Sequence, residues 1–221
     1  MRKNTVDIIT LGCSKNLVDS EKLMAQFRAN GMTVRHDPEK PSAQTVVINT
    51  CGFIGDAQEE SIQMILECGR LKERGKIGKL FVMGCLSQKY KADLEAEIPE
   101  VDGWFGKFDW DRIVALTGND WHSELEYDRV ITTPSHYAFL KIAEGCNRAC
   151  AYCAIPLMTG KYHSRSQEDI LNEAGLLASR GVREIQLIAQ DLTYYGMELA
   201  HKSMIADLVK RLSDIPGIEW I

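Results

Sequence analysis

Three cysteines of this chain share one local context. Leu11-Gly12-Cys13, Asn49-Thr50-Cys51 and Met83-Gly84-Cys85 each follow directly on an apolar run that reads as a strand. Their separations, 38 and 34 residues, match the length of a βαβ repeat, so parallel pairing would deliver all three thiols to the carboxyl ends of neighbouring strands. Small neighbours (Gly12, Thr50, Gly52 and Gly84) leave room there for a bulky inorganic group. Periodicity alone leaves two readings open, a metal or cluster ligand set and three separate buried thiols.

The segments between these cysteines support the repeat. TVDIITLG over 5–12 reads as a strand, and KNLVDSEKLMAQFRANG as a helix with Leu17, Leu23, Met24 and Phe27 near helical spacing and Gly31 as its stop. Thr45–Thr50 predicts a second strand and 56–74 a long helix. Lys79–Met83 predicts a third strand, and 87–98 a helix closed by Pro99. Short βα repeats imply a mostly parallel sheet covered by helices. Cys68, inside the long helical pattern, reads as structural.

Seven cysteines would be unusual as a disulfide framework, which favours an even count and a secreted chain. No apolar stretch approaches bilayer length, and Asp7 interrupts any signal-peptide core, so the expected setting is cytoplasmic, with no membrane partner. Against 31 acidic residues stand 26 basic ones, so the whole chain offers no electrostatic footprint for nucleic acid or an anionic membrane. A local basic patch remains compatible with that balance.

Residues 119–134 lack clean periodicity and read as a connection. Beyond it, SHYAFLKIA over 135–143 predicts a strand that runs into Cys146, Cys150 and Cys153 in CxxxCxxC spacing. Three thiols in one loop are far more specific than three scattered ones. Zinc would need a fourth ligand, for which His163 is near in sequence; on a four-iron cluster, three thiolates would leave one iron open to a ligand. A helix over 167–179, a strand over 184–191, a helix near 202–212 and a strand starting at Ile218 give the opening of a βα barrel, whose functional loops follow its strands. Gln190-Asp191 falls at such an end, where it could line a pocket or cap a helix. Lys161, His163 and Arg165 form a basic run that suits a carboxylate, an acidic partner or plain solvent.

Residues 137–165, YAFLKIAEGCNRACAYCAIPLMTGKYHSR, resemble the signature region of the radical S-adenosylmethionine methylthiotransferases, and GCSKNLVDSE, NTCGF and Gly84-Cys85 resemble the extra domain these enzymes carry ahead of it. The resemblance covers essentially the whole chain. It implies an α/β fold: a parallel-sheet methylthiotransferase domain over 1–118, a linker over 119–134, and the truncated start of a radical SAM partial βα barrel over 135–221. It further implies two 4Fe-4S clusters, a radical-generating one on Cys146, Cys150 and Cys153 and an auxiliary one on Cys13, Cys51 and Cys85, with S-adenosyl-L-methionine as cofactor. Tyr152 takes the position where the family has an aromatic residue near the adenine; packing of the cluster loop is the alternative. Gln190 is the second expected cofactor contact. No side chain is expected as an acid, base or nucleophile, because the cofactors carry the chemistry.

The wording GCSKNLVDSE and AIPLMTGKYHSR is similar to the branch that adds a methylthio group to the β-carbon of an aspartate in a small-subunit ribosomal protein, and less so to the branch that modifies adenosine in transfer RNA. The implied partners are that ribosomal protein or the ribosomal subunit, and a low-potential electron donor such as flavodoxin or ferredoxin. A non-radical iron-sulfur electron-transfer or binding module is the third reading. Similar enzymes continue through more barrel and a small C-terminal β-barrel, so the chain reads as an N-terminal portion with all six expected cluster cysteines.

Overall fold

The computed structural model describes residues 1–221, which divide into two compact units, Met1–Leu125 and Glu126–Ile221. No helix is long and apolar enough to cross a membrane. The first unit runs β1 (Arg2–Thr10), α1 (Ser14–Ala29), β2 (Thr33–His36), β3 (Ala43–Thr50), α2 (Gly55–Glu73), β4 (Lys79–Gly84), α3 (Cys85–Glu97), β5 (Gly103–Trp104) and α4 (Trp110–Leu116), ending in a short 3-10 turn at Ser123–Leu125. Its five strands form one all-parallel sheet in the order β2-β1-β3-β4-β5. The middle strands are buried over most of their length, as a parallel sheet covered by helices requires.

Asp7 is the exception that the apolar runs hide. Fully buried on β1, it pairs with Arg35, its register partner on β2, at 2.6 Å (Nε) and 2.5 Å (Nη2), and accepts from the backbone N–H groups of Ser42 and Ala43 at 2.8 and 3.1 Å. The carboxylate thus fastens the edge strand β2 and the entry to β3 to the sheet centre. The predicted strand and helix sequence is observed, with β2 added as an edge strand that the sequence reading did not single out.

Register carries the cysteines to one place. Thr10 lies opposite Asn49 and Thr50 opposite Gly84, so Cys51 and Cys85 directly follow the paired ends of β3 and β4, and Gly12 comes against Cys51. Cys13 stands one residue further along. Gly12 is in the left-handed region (φ +91°), and a Cβ there would lie 2.5 Å from Cys51 Cβ and 2.8 Å from its Sγ, so the close approach of the two loops needs glycine.

The second unit runs β6 (Tyr137–Lys141), β7 (Ala143–Glu144), α5 (Ile155–Thr159), β8 (His163–Ser164), α6 (Gln167–Ser179), β9 (Glu184–Ile188), a 3-10 turn at Leu192–Tyr194, α7 (Met197–Ala200) and α8 (Ile205–Ser213). β6 pairs with β9 in parallel, and β7 with β8 antiparallel. The strand expected over 135–143 is therefore split at Ile142, and its second piece turns to meet β8. The strand start expected at Ile218 is a single bridge, Glu184 to Trp220. Ser166 caps α6 by accepting from Asp169 N–H. The core joins Leu140, Ile142 and Ile185 to Ile170, Leu177, Leu208 and Leu212.

The stretch over 119–134 is anchored in pieces. His122 and Asp120 are bound to Gln26 of α1 and to Asn30, which caps its carboxyl end. Further on, Arg129 is buried against Glu173 of α6 at 3.2 Å, and Arg165 reaches the other oxygen of that carboxylate at 2.7 Å. One buried anion thus holds two guanidinium groups from separate segments.

Two outcomes follow. Glu173→Gln leaves those cations uncompensated and should destabilise the second unit by about 3–5 kcal/mol, read as accelerated hydrogen exchange through β6 and α6; wild-type exchange would contradict it. Gly12→Ala should cost the first unit about 1–3 kcal/mol in denaturant unfolding, more than Gly31→Ala, where φ is also positive but a Cβ meets open space.

Candidate functional site

None of the seven cysteines is in a disulfide. Cys13 precedes α1, Cys51 precedes α2 by a short turn, and Cys85 is the first residue of α3. The sheet edge therefore presents three thiols together with the amino ends of three helices, whose dipoles favour an anionic group such as a thiolate-bound cluster. Gly52 packs against the start of α3, where a Cβ would lie 2.8 Å from Leu86 N, so the β3 and β4 loops also touch. Cys51 is tied down by Ser61, whose hydroxyl accepts from its N–H and donates to its carbonyl, both at 3.1 Å. Cys68 behaves differently: it is buried in the core under α2, and burial pushes its thiol up to about 12, so it stays protonated and inert.

In the second unit the loop between β7 and α5 holds Cys146, Cys150 and Cys153. Its base is closed twice: Cys146 N–H donates to Gly160 O at 3.1 Å, and Tyr162 N–H to Asn147 Oδ1 at 3.0 Å. Gly145 (φ +80°) permits this, since a Cβ would lie 2.1 Å from Lys161 O. Inside the loop, Arg148 N–H points to Cys146 Sγ at 3.4 Å and Cys153 N–H donates to Cys150 O at 3.2 Å. Tyr152 is 95% exposed, so packing of the loop does not explain it.

Arg148 reaches out of the loop to Asp191, just past β9, at 2.8 Å, and its guanidinium lies over the Tyr194 ring. Hydrogen bonding from Thr193, then from Arg148, holds the Asp191 carboxyl below the usual carboxylate range. The latch is accordingly complete above the ordinary carboxylate pKa and is lost as pH falls through the lowered value. Asp191 also caps the Leu192–Tyr194 turn, so of the two roles open to it the capping one is realised. Tyr162 donates to Asp191 O at 2.8 Å.

Gln190 Nε2 donates to Glu144 Oε1, which fixes the amide orientation and leaves Gln190 Oε1 buried without a partner. Glu198 of α7 accepts from Ser164 N–H with Oε1, and its Oε2 is likewise buried and unpartnered. Two orphaned acceptors beside β7 and β8 suit a cationic hydrogen-bond donor such as an ammonium group. Glu144, Glu198 and Arg148 escaped the sequence reading: short elements carry them, with no periodic signal. Of the basic run, Lys161 and His163 face solvent, while Arg165 turns inward to Glu173 and Lys141 O.

No three Cys, His, Asp or Glu side chains converge on a point that could chelate one ion. His163, weighed as a fourth zinc ligand, is exposed and stands opposite Glu144 in the β7–β8 pair. Thiolates on one iron-sulfur cluster bind different irons and need no common point. The donor sets, three soft thiols each at a glycine-lined loop, fit such a cluster.

Residues 5–106 match the uncharacterized protein family UPF0004, and residues 140–220 the radical SAM superfamily. The chain is 61% identical over 221 residues to the ribosomal protein uS12 methylthiotransferase RimO of Parabacteroides distasonis, and 57% to that of Porphyromonas gingivalis; each match covers 100% of this chain and 51% of the relative. The chain thus spans about half the length of the curated relatives it matches. Two structures of the radical S-adenosylmethionine methyltransferase TsrM from Kitasatospora setae share its fold, with TM-scores of 0.57 and 0.56 at 13% and 14% identity, over 97% and 98% of this chain and 52% and 54% of theirs. One holds a SAM analogue and tryptophan, the other cobalamin and a [4Fe-4S] cluster. The chain thus carries a UPF0004 region followed by a radical SAM region, and along its full length it is similar to relatives named methylthiotransferases.

Proposed function

We propose that the protein to which this chain belongs adds a methylthio group to the β-carbon of an aspartate in a small-subunit ribosomal protein, uS12. The observation that carries this reading is the 61% identity to a uS12 methylthiotransferase over every residue of the chain. Residues 1–118 form the auxiliary-cluster domain, with Cys13, Cys51 and Cys85 as ligands, and residues 135–221 the beginning of the radical domain, with Cys146, Cys150 and Cys153. A ribosomal substrate implies a cytoplasmic setting, and the reductant is a low-potential donor of the flavodoxin or ferredoxin type.

When bound, the two clusters and S-adenosylmethionine supply one-electron chemistry and sulfur for converting C–H to C–S–CH3. The chain's own residues do the positioning. Gln190 Oε1 and Glu198 Oε2, buried without partners, receive the ammonium group of S-adenosylmethionine. Tyr152, exposed on the cluster loop, is the aromatic surface for the adenine. Arg148 and Asp191 keep that loop against the end of β9, so the cysteines and Gln190 share one frame.

After anaerobic reconstitution the whole protein should carry about eight irons per chain, and its Cys146→Ala, Cys150→Ala, Cys153→Ala variant about four. Zinc in place of iron, or unchanged iron in the variant, would sink the two-cluster assignment. Mass spectrometry of uS12 after incubation with reduced enzyme and S-adenosylmethionine should show one methylthio group in place of hydrogen on an aspartate. Modification of transfer RNA instead would move the protein to the other branch, and no cleavage of S-adenosylmethionine would leave a non-radical iron-sulfur module.

A further inference from the structure

At the carboxyl end of the sheet, the strands that lead into the three cysteine loops of the first unit are joined by buried side chains. Asn16, 1% exposed in the first turn of α1, donates from Nδ2 to Leu11 O at 2.9 Å and to Thr50 O at 3.1 Å. Both partners are carbonyls, so the carboxamide has a single orientation, and its Oδ1 is left buried with no partner. Leu11 lies two residues before Cys13, and Thr50 immediately before Cys51. Asn49 approaches from the other side, donating from Nδ2 to Asn16 O at 2.9 Å and to Ser20 Oγ at 3.1 Å. Thr50 Oγ1 donates to Met83 O at 2.6 Å, two residues before Cys85. The links therefore run from the β1 loop to the β3 loop through Asn16, and from β3 to β4 through Thr50.

Leu11 and Thr50 are themselves buried, so their carbonyls need partners inside the protein, and one carboxamide serves both. Burying an amide whose oxygen has no partner is a costly way to satisfy two of them. The arrangement instead makes sense where the separation of the loops matters. We propose that Asn16 is the positioning residue of the Cys13–Cys51–Cys85 site: its carboxamide fixes the spacing of the first two cysteine loops, and Asn49 and Thr50 extend that constraint to the third. The proposal rests on the reading of this triad as a cluster ligand set. Asn16 acts through the backbone that leads into Cys13 and Cys51, as groups behind a metal's ligands do.

The test uses the whole protein with Cys146→Ala, Cys150→Ala and Cys153→Ala, so that only the first triad can hold iron. Asn16→Asp, Asn16→Ser and the near-isosteric Thr50→Val are each added, and the rate of iron loss to a chelator, the midpoint potential and the electron paramagnetic resonance spectrum are compared. Val114→Ala is the destabilised control, in the core of α4 and near Thr117, which lines a cavity with Met1, Gly78 and Lys79 at the amino ends of the strands. The Asn16 variants should lose iron about ten to a hundredfold faster with an altered spectrum, Thr50→Val should move the same way by less, and Val114→Ala should match the parent. Should the Asn16 variants fail to fold, Thr50→Val decides. Parental iron loss and spectrum in every folded variant overturn the proposal, as does equal acceleration in Val114→Ala. A background protein that holds no iron before any change at Asn16 fails differently: it removes the ligand set, and the proposal with it.

Discussion

The in-register parallel pairing of β1, β3 and β4 is the constraint on which the first unit depends. Side chains in a sheet alternate faces with a period of two, so a one-residue slip of any of these strands would turn its buried residues toward the wrong layer. The same register brings Gly12 against Cys51 and starts the loops of Cys51 and Cys85 at paired strand ends. Core burial and thiol placement are thus fixed by one set of hydrogen bonds. Asp7 strengthens that dependence, because its carboxylate binds β2 and the start of β3 to the strand between them.

The second unit solves the same problem locally. Its three thiols come from one loop, so no strand register has to be exact for them to be neighbours. What needs fixing is the loop's attitude, and this falls to the backbone bond at Gly160, the Asn147 side chain on Tyr162 N–H, and the Arg148–Asp191 pair. Arg129 and Arg165, gathered on Glu173, brace the segments on either side.

Much of this was legible in the sequence where one residue type repeats in one context. The recurrence of glycine or threonine followed by cysteine after each apolar run announces a parallel sheet with its thiols at one edge, and CxxxCxxC announces the loop. β2 was not legible, because four residues with little apolar alternation are held as a strand by the salt bridge from Arg35 to Asp7, a long-range pairing. Arg165 read as part of a basic surface run, yet it is drawn inward by a glutamate on another element. Glu144 and Glu198 gain meaning only when tertiary contacts set them beside Gln190 and Ser164. Periodicity reports which face of an element is buried; it is silent on which buried polar groups find each other.

The closed base of the cysteine loop alters what assembling a metal centre demands. A floppy loop would have to surrender its conformational freedom when iron arrives, and would regain it whenever iron was lost. Here Gly145 allows the chain to cross back on Lys161, and the span between Cys146 and Gly160 is shut by one backbone hydrogen bond, with a second from Tyr162 N–H to the Asn147 side chain, neither involving sulfur. The ends of the loop are therefore held by contacts that leave its three sulfurs uncommitted, so whatever the thiols bind does not also have to close the loop.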